Sequence, residues 1–496
     1  MLRKKCQIHK CVRWLRLVQV LLQNLRKGFE QKAYDLFGEV VINKNLINSA
    51  GFSARAIPTY VGEWILYNFL EDGELTEESR DKVSDFVNKY LPQKGFKEDV
   101  KNRLLNMETV RLLDDYSVSV NLKNGTRTLK IHFLDMSDAG ISQDIVDNNK
   151  LLLTSGVWGV ADLMYAPPED KGEKGKVWMR SFRPFQVGDV DLEYYKDCRS
   201  EFSTSEWIDL IISSMGFNQE IYTEQQKTVL LTRLLPLVES RVNLIELAPK
   251  GTSKSFVYGN VSRYAGVVGG GKISPAVMFH NNVTNAPGIV TRYDVVVLDE
   301  AQSIQGDAKG ELIAGLKVYL ESGKFSRGNT EAVAESGFVM LANITLDENH
   351  LPVYEREGLF KEIPNFLQET AFVDRLHGII PGWYMPRVSK DTPSITLGFK
   401  GDFFSEILHN LRGEPQYTDY VNMNMRLINC NDMRDKKAIT RLASAYLKLI
   451  FPDLQVSQEE FNKYCVQPAV DLRQRVRDEL HKMDSEYAEV DIQVEM

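Results

Sequence analysis

The 496-residue sequence has few cysteines and none of the short motifs that bind structural zinc. Its five cysteines are scattered and odd in number, and neither C-x-x-C nor H-E-x-x-H occurs. The pattern predicts no structural zinc, and reduced thiols in the cytoplasm are the simplest interpretation. No apolar run reaches the length of a membrane-spanning helix, so we expect no membrane partner.

The sequence also lacks an overall positive charge, since its formal net charge is −8. Any nucleic-acid site must therefore be a local patch. Residues 1–27 are locally basic, with eight Lys or Arg and no acid. Arg16 interrupts their apolar stripe and no small-residue cleavage site follows, which argues against a signal peptide. We interpret residues 1–34 as a basic leader; a helix that touches nucleic acid is the alternative.

A stretch near the middle of the chain, Asn243 to Ser255, reads NLIELAPKGTSKS. An apolar run, a loop of small residues, Lys-Ser and a helix-like segment follow one another in the order of a P-loop. There, backbone N–H groups wrap the phosphates of ATP, the lysine reaches the β- and γ-phosphates, and the next hydroxyl holds Mg²⁺. The pattern predicts an ATP site formed by Pro249, Lys250, Gly251, Thr252, Ser253, Lys254 and Ser255.

Glycine is missing from both outer positions of the P-loop pattern, where Ala248 and Ser253 stand instead. The glycine before the lysine normally lets backbone approach phosphate without a Cβ in the way. Ser253 therefore counts against tight nucleotide binding and against hydrolysis. An ordinary strand-to-helix turn capped by Thr252 or Ser253 is the alternative.

A second apolar run, Val295 to Leu298, continues directly into Asp299 and Glu300. It predicts a buried parallel strand with two carboxylates at its C-terminal tip. In a P-loop ATPase the first carboxylate, Asp299, helps to hold Mg²⁺, and the second, Glu300, orients or deprotonates the attacking water. A buried strand that ends in a solvated acidic turn is the alternative.

A third apolar run ends in Asn343, where AAA+ ATPases have the first sensor residue, which polarises the attacking water. The order is that of AAA+ ATPases: first the P-loop, then the paired carboxylates, then a strand that ends in asparagine. It predicts an AAA+ core with a parallel α/β sheet. Arg375 is predicted to reach the γ-phosphate of a neighbouring subunit. Arg434 is predicted as the second sensor in a small helical lid, with Arg441 as runner-up. A surface salt bridge is the alternative for each arginine.

Upstream of the P-loop, the spacing of apolar residues changes from helical to alternating along the chain. We predict an N-terminal helical domain over 35–115, an OB-like β-barrel over 116–200, an AAA+ core over 201–415 and a lid with tail over 416–496. Barrel residues that could contact nucleic acid are Trp158, Trp178, Arg180, Phe182, Arg183 and Phe185, although aromatic residues in strands are more often core. Ser203 to Glu206 fits a capping box before a helix.

Several segments together resemble the Lon-like AAA+ family of BREX phage-defence systems, the BrxL family. They are LIELAPKGTSKS, the GGGK turn at Gly269 to Lys272, RYDVVVLDEAQSI, LKVYLESGKFSRGN, VMLANI and FVDRLHGIIPGW. The resemblance spans about Asp35 to Asp453. It implies an N-terminal DNA-binding region, an ATPase that uses ATP and Mg²⁺, and homo-oligomeric, hexameric rings that enclose DNA in the cytoplasm with other BREX proteins.

The resemblance also implies a hairpin after the helix Glu311 to Glu321 that projects into the pore of the ring. Lys324 and Arg327 flank Phe325 there and are predicted to hold DNA phosphates, without sequence preference. A solvated hairpin with outward charges is the alternative.

Longer members of the family carry a C-terminal Lon-protease-like domain with a Ser-Lys pair. Only about forty residues follow Asp453 here, which are too few for that domain. The leading hypothesis is therefore an ATP-driven, DNA-encircling ring without a proteolytic site. A DNA-bound scaffold without ATP turnover and a Lon-like unfoldase that serves a separate peptidase are the alternatives.

Overall fold

The computed structural model describes the chain from Gly28 onward, so the basic leader predicted at 1–27 lies outside the described residues. The residues that the structure describes are 28–49, 57–70, 75–122, 125–153, 156–168, 174–185, 190–269, 271, 273–282, 286–304, 310–328 and 330–495. None of the helices in these ranges combines the length and the apolar character that a bilayer crossing needs.

The N-terminal part is mainly helical and includes one short strand that pairs with a distant segment. Its elements are α1 (Gly28–Phe37), β1 (Val41–Asn43), α2 (Asn45–Ser49), α3 (Thr59–Tyr67), α4 (Glu77–Tyr90) and α5 (Lys97–Leu105). Strand β1 pairs antiparallel with the segment Leu397–Phe399, so this region is joined to the second half of the chain. Helix α1 also crosses the boundary predicted at residue 35.

A closed five-stranded barrel follows, with strand order β2-β3-β4-β6-β5. Its elements are β2 (Val110–Asn121), β3 (Thr126–Ile131), β4 (Met136–Ile141), α6 (Gln143–Asn148), β5 (Val157–Ala166) and β6 (Lys176–Pro184). Apolar side chains at alternating positions form a separate core inside the barrel. The alternating pattern therefore predicted a small barrel correctly, although β2 begins at Val110, before the predicted boundary.

Helices lead from the barrel to the central sheet: α7 (Leu192–Arg199), α8 (Thr204–Ser214), α9 (Glu224–Thr232) and α10 (Leu235–Val238). The capping box predicted before α8 is confirmed. The Ser203 hydroxyl accepts a hydrogen bond from the Glu206 amide at 3.3 Å, and the Glu206 carboxylate accepts one from the Ser203 amide at 2.8 Å. This reciprocal pair satisfies two N–H groups that the first turn of a helix leaves free.

The central sheet has five parallel strands in the order β15-β7-β14-β11-β8. The region contains β7 (Asn243–Ala248), α11 (Lys254–Asn260), β8 (Ala265–Val268), α12 (Pro275–Met278), β9 (His280–Asn281), β10 (Ala286–Pro287), β11 (Val295–Leu298), α13 (Glu311–Ser322), β12 (Lys324–Arg327), β13 (Thr330–Val333), β14 (Gly337–Asn343), α14 (Thr370–Val373) and β15 (Gly378–Pro381). Every residue of β7 and β11 is buried, which explains why both read as apolar runs.

The C-terminal part contains β16 (Leu397–Phe399), α15 (Gly401–Leu411), α16 (Gln416–Asn424), β17 (Arg426–Ile428), α17 (Met433–Ile450), α18 (Gln458–Phe461), α19 (Gln467–Met483) and β18 (Gln493–Glu495). Helix α19 packs on the edge strand β15 so closely that a Cβ at Gly378 would lie 2.7 Å from the Leu472 side chain. The fully buried Arg473 donates to Asp435 at 2.6 Å and to Asp374 at 2.8 Å. These ion pairs fix α17 and α19 against the start of β15.

Candidate functional site

The loop between β7 and α11 crosses the C-terminal edge of the sheet. Gly251 and Ser253 both have left-handed backbone conformations, with φ of 81° and 59°. The Gly251 carbonyl accepts a hydrogen bond from the Val388 amide at 2.8 Å, which attaches the loop tip to the segment after β15. Two positions of this loop therefore have a backbone that glycine favours, although one of them carries a serine. We call Pro249 to Ser253 the phosphate loop, after the prediction from the sequence.

Lys254 begins α11, and its side chain is directed along the sheet edge. Its Nζ donates to Asn343 Oδ1 at 2.6 Å and to the Pro249 carbonyl at 3.3 Å. Burial lowers the pKa of Lys254, while the charges of Glu246 and Asp299 oppose that shift. A buried ammonium group that donates to two neutral oxygens can still compensate the charge of an anion, so the site suits a phosphate group.

Asp299 and Glu300 follow β11, the strand next to β14. Asp299 is half-buried and its amide donates to the Val268 carbonyl at 2.9 Å, whereas Glu300 is exposed. Glu300 has a left-handed backbone with φ of 52°, and its amide donates to Asp299 Oδ1 at 2.9 Å. The sheet thus brings together the lysine, the asparagine and both carboxylates that the sequence placed on three separate strands.

Gln302, two residues after the paired carboxylates, is a site residue that the sequence pattern did not predict. Its Oε1 accepts a hydrogen bond from the Asn343 amide at 2.9 Å and so ties the ends of β11 and β14 together. Its polar side chain, so close in sequence to the carboxylates, is the feature from which its place in the site could have been predicted. Ser255 lies in the first turn of α11 beside Lys254, where a hydroxyl that binds a cation would be expected.

A cleft of about 1160 Å³ opens beside this site. It lies between the loop after β14 and the loop after β15, and it is lined by Lys250, Gln302, Asn343, Asp347, Trp383 and Arg387 among others. Lys250 is exposed at the tip of the phosphate loop. The cleft is large enough for a nucleotide-sized ligand.

Arg375 and Arg434 lie together at the other end of the sheet. The carboxylate of Glu321 is 3.4 Å from Arg375 and 3.0 Å from Arg434, which also binds Asp374 at 2.6 Å. Asp374 precedes the N-terminal end of β15, and Lys254 follows the C-terminal end of β7. The six residues of β7, about 20 Å of strand, separate the two places. Within one chain, these arginines therefore do not meet the lysine.

Arg441, the alternative prediction for the second sensor, lies at the same end of the sheet as Arg375 and Arg434. Its Nη1 donates to the Arg241 carbonyl at 3.3 Å, and burial lowers its pKa.

The predicted hairpin is present as β12 and β13, but its side chains differ from the expectation. Lys324 is exposed, whereas Phe325 is buried and its ring lies 5.4 Å from that of Phe279. Arg327 is half-buried and donates to the His280 carbonyl. Side chains alternate along a strand, so residues 324 and 327 lie on opposite faces. The two cations therefore do not share one face of the hairpin, and of these three residues Lys324 alone is exposed. That they hold DNA phosphates stays a prediction.

The sequence matches two family models over most of its length. Residues 177–493 match "Lon-like protease BrxL-like, ATPase domain", and residues 35–165 match "BREX system Lon protease-like protein BrxL N-terminal". The chain belongs to the BrxL-like family. The site described above lies inside the ATPase-domain match, and the barrel lies mostly inside the N-terminal match.

Two relatives named "Lon-like protease BrxL" are similar to this BrxL-like chain. The protein of Escherichia coli O9:H4 (strain HS) is 30% identical over 451 residues, which is 90% of this chain and 64% of that protein. The protein of Bacillus cereus (strain H3081.97) is 29% identical over 450 residues, which is 90% of this chain and 66% of that protein. The BrxL-like chain therefore spans somewhat less than two thirds of the length of these relatives.

Proposed function

We propose that this chain is an AAA+ ATPase subunit that forms a hexameric ring around DNA in BREX-type phage defence. Other BREX proteins would be its partners and the cytoplasm its location. The observation that carries the proposal is the 2.6 Å bond between Lys254 and Asn343, with Asp299 and Glu300 at the tip of the adjacent strand.

The strand order supports an AAA+ core. Numbered along the chain, the sheet strands stand in the order 5-1-4-3-2, so the fourth strand lies between the P-loop strand and the carboxylate strand. Asn343 on that fourth strand is thereby placed between Lys254 and Asp299, where it can contact the attacking water. The helices over 416–496 would be the lid and 201–415 the core.

Each side chain has a defined task in this proposal. Lys254 neutralises the β- and γ-phosphates, and the loop amides around Gly251 hold their oxygens. Ser255 and Asp299 would hold Mg²⁺, which screens the charge of the phosphates. Glu300 accepts a proton from the attacking water while Asn343 orients it. Both of these side chains offer hard oxygen donors, which fits Mg²⁺.

The barrel supports a role in DNA binding. Its order β2-β3-β4-β6-β5, with β4 and β6 parallel, is OB-like. Trp178 is 39% exposed, and the Lys176 ammonium lies 5.5 Å from its ring centre. Arg180 is exposed on the same strand. An exposed ring beside cations suits a stacked base and its phosphate.

We expect Lys254→Ala to abolish Mg-ATP binding, because the variant lacks the buried ammonium group that faces the phosphates. The measurement is a titration of the intact chain with a fluorescent ATP analogue in the presence of Mg²⁺. Lys463→Ala removes an exposed lysine in the C-terminal helices and serves as the matched control. A parent chain that does not bind the analogue at millimolar concentration would rule out the ATPase proposal.

For DNA, we expect Lys324→Ala to weaken binding and to reduce its salt dependence. Each phosphate contact that is lost should lower the slope of log affinity against log salt by about 0.9. Lys317→Ala is the control, since Lys317 lies on α13, the helix before the hairpin, and is paired with Glu369 at 2.6 Å. Equal affinity and slope for the parent and Lys324→Ala would show that Lys324 does not contact DNA, and the barrel strand β6 would become the better candidate.

A DNA-bound scaffold without turnover is the second candidate, because Ser253 occupies a position that usually carries glycine. A Lon-like subunit that unfolds substrates for a peptidase is a third candidate, suggested by the names of the relatives. ATP turnover by the purified chain, with and without DNA, separates the first two. DNA-stimulated turnover supports the ring ATPase, and binding without turnover supports the scaffold.

A further inference from the structure

A fully buried ion pair lies beneath the phosphate loop. Arg233 follows α9, and Glu246 lies in the centre of β7; both side chains have no exposed surface. Arg233 donates to the two Glu246 carboxylate oxygens at 3.0 and 2.6 Å. A charge in a central strand costs free energy unless it is paired, so the pair must be fixed by its surroundings.

Gly382, directly after β15, leaves space for this pair. A Cβ at Gly382 would lie 2.6 Å from Glu246 Oε1, too close for a real side chain. The glycine therefore leaves room for the carboxylate, which orients the guanidinium group of Arg233 through two parallel hydrogen bonds.

The same guanidinium group also reaches the phosphate loop. Arg233 Nη2 donates to the Thr252 carbonyl at 3.1 Å. That carbonyl belongs to the peptide group whose nitrogen is the amide of Ser253. Because the hydrogen bond from Arg233 fixes the carbonyl, it also fixes the plane of this peptide group. The position of the Ser253 amide nitrogen is thereby fixed as well.

Ser253 is the residue whose backbone needs such support. Its φ of 59° and ψ of 16° are left-handed, a conformation that glycine adopts freely and serine does not. The loop must nevertheless keep it, because the amide of Ser253 and the helix start at Lys254 both depend on this turn.

We propose that Arg233 is a positioning residue that holds the phosphate loop open for nucleotide in place of the missing glycine. Glu246 orients Arg233, Arg233 fixes the Thr252 carbonyl, and the fixed peptide keeps Ser253 left-handed. The inference rests on the proposed nucleotide binding. A purely structural ion pair would affect stability, but it would not make the effect of Arg233 depend on the residue at position 253.

The test uses four intact chains: the parent, Arg233→Met/Glu246→Met, Ser253→Gly, and the triple variant. Replacing both members avoids a lone buried charge, and such apolar replacements are often tolerated. We expect the double variant to lose about tenfold in Mg-ATP affinity, which corresponds to about 1.4 kcal/mol. The triple variant should regain most of this loss, because glycine needs no external support for the left-handed turn.

Amide hydrogen exchange of residues 248–255 without nucleotide provides a second readout. Exchange in this loop should be faster in the double variant and slower again in the triple variant. Lys44→Met/Glu63→Gln disrupts another buried pair, 2.6 Å apart in the N-terminal part, and should leave the loop unchanged. Arg233→Lys keeps a charge for Glu246 but cannot reproduce the fork of hydrogen bonds, so it replaces the double variant if that protein does not fold.

Unchanged loop exchange in a folded Arg233 variant would overturn the inference, whether or not the chain binds ATP. An equal loss of affinity in the Ser253 background and in the Ser253→Gly background would also overturn it. A parent chain that binds no Mg-ATP would instead refute the proposed function, and the exchange experiment would still decide the role of Arg233.

Discussion

Replacing Glu300 by glutamine is expected to leave Mg-ATP binding intact and to reduce ATP turnover by about a hundredfold to ten thousandfold, the usual contribution of a general base. The side chain is exposed at the end of β11, and Asp299 rather than Glu300 is the half-buried member of the pair. Glutamine keeps the size of the side chain but cannot accept the proton of the attacking water. Turnover and nucleotide binding are measured on the same preparation.

Glu331→Gln, an exposed carboxylate on β13, is the matched control for the change of charge. Turnover of Glu300→Gln at the parental rate would exclude Glu300 as the base. If the parent itself binds ATP but shows no turnover, the scaffold function gains support. In that case Ser253→Gly should restore some hydrolysis if the serine is the cause.

The sequence predicted the sheet well because its strands are buried on both faces. Runs that end at Ala248, Leu298 and Asn343 contain few polar residues, so their type and their ends could be recognised. In a parallel sheet the C-terminal ends of strands meet at one edge, which is why Lys254 and Asn343, 89 positions apart, could be expected to lie together.

The Arg233–Glu246 pair was not predicted, although β7 offered a signal. Glu246 interrupts an apolar run, and a charge inside a buried strand requires a partner. The sequence did not identify that partner, because Arg233 lies thirteen positions earlier, after a helix. Only the packing of α9 on the sheet brings the two together.

The hairpin was predicted in position but not in orientation. The sequence alone predicts two cations around an aromatic residue in the segment Lys324 to Arg327. In a strand, however, neighbours alternate between faces, so Phe325 and Arg327 share the buried side. For Arg434, spacing along the chain did not show which end of the sheet the residue would reach.

Arg375→Ala is expected to bind Mg-ATP like the parent and to lose about a thousandfold or more in turnover, the effect of an arginine that stabilises phosphoryl transfer in trans. Arg375 lies before β15, about the length of a strand away from Lys254 of its own chain. It therefore lies too far from the nucleotide site of its own chain, and in the proposed ring it would contact the nucleotide of a neighbouring subunit. The exposed Arg356→Ala is the control.

Mixing two inactive variants tests the direction of this contact. In a mixed ring, an Arg375→Ala subunit keeps an intact Lys254, and an adjacent Lys254→Ala subunit still provides Arg375. The interface where these two meet would contain every catalytic group, so mixed rings should recover part of the turnover that each variant lacks alone. If Arg375 acted within its own chain, no mixture would exceed the sum of the separate variants. Recovery would also show that an oligomer is the active form, because no single subunit then contains a complete site.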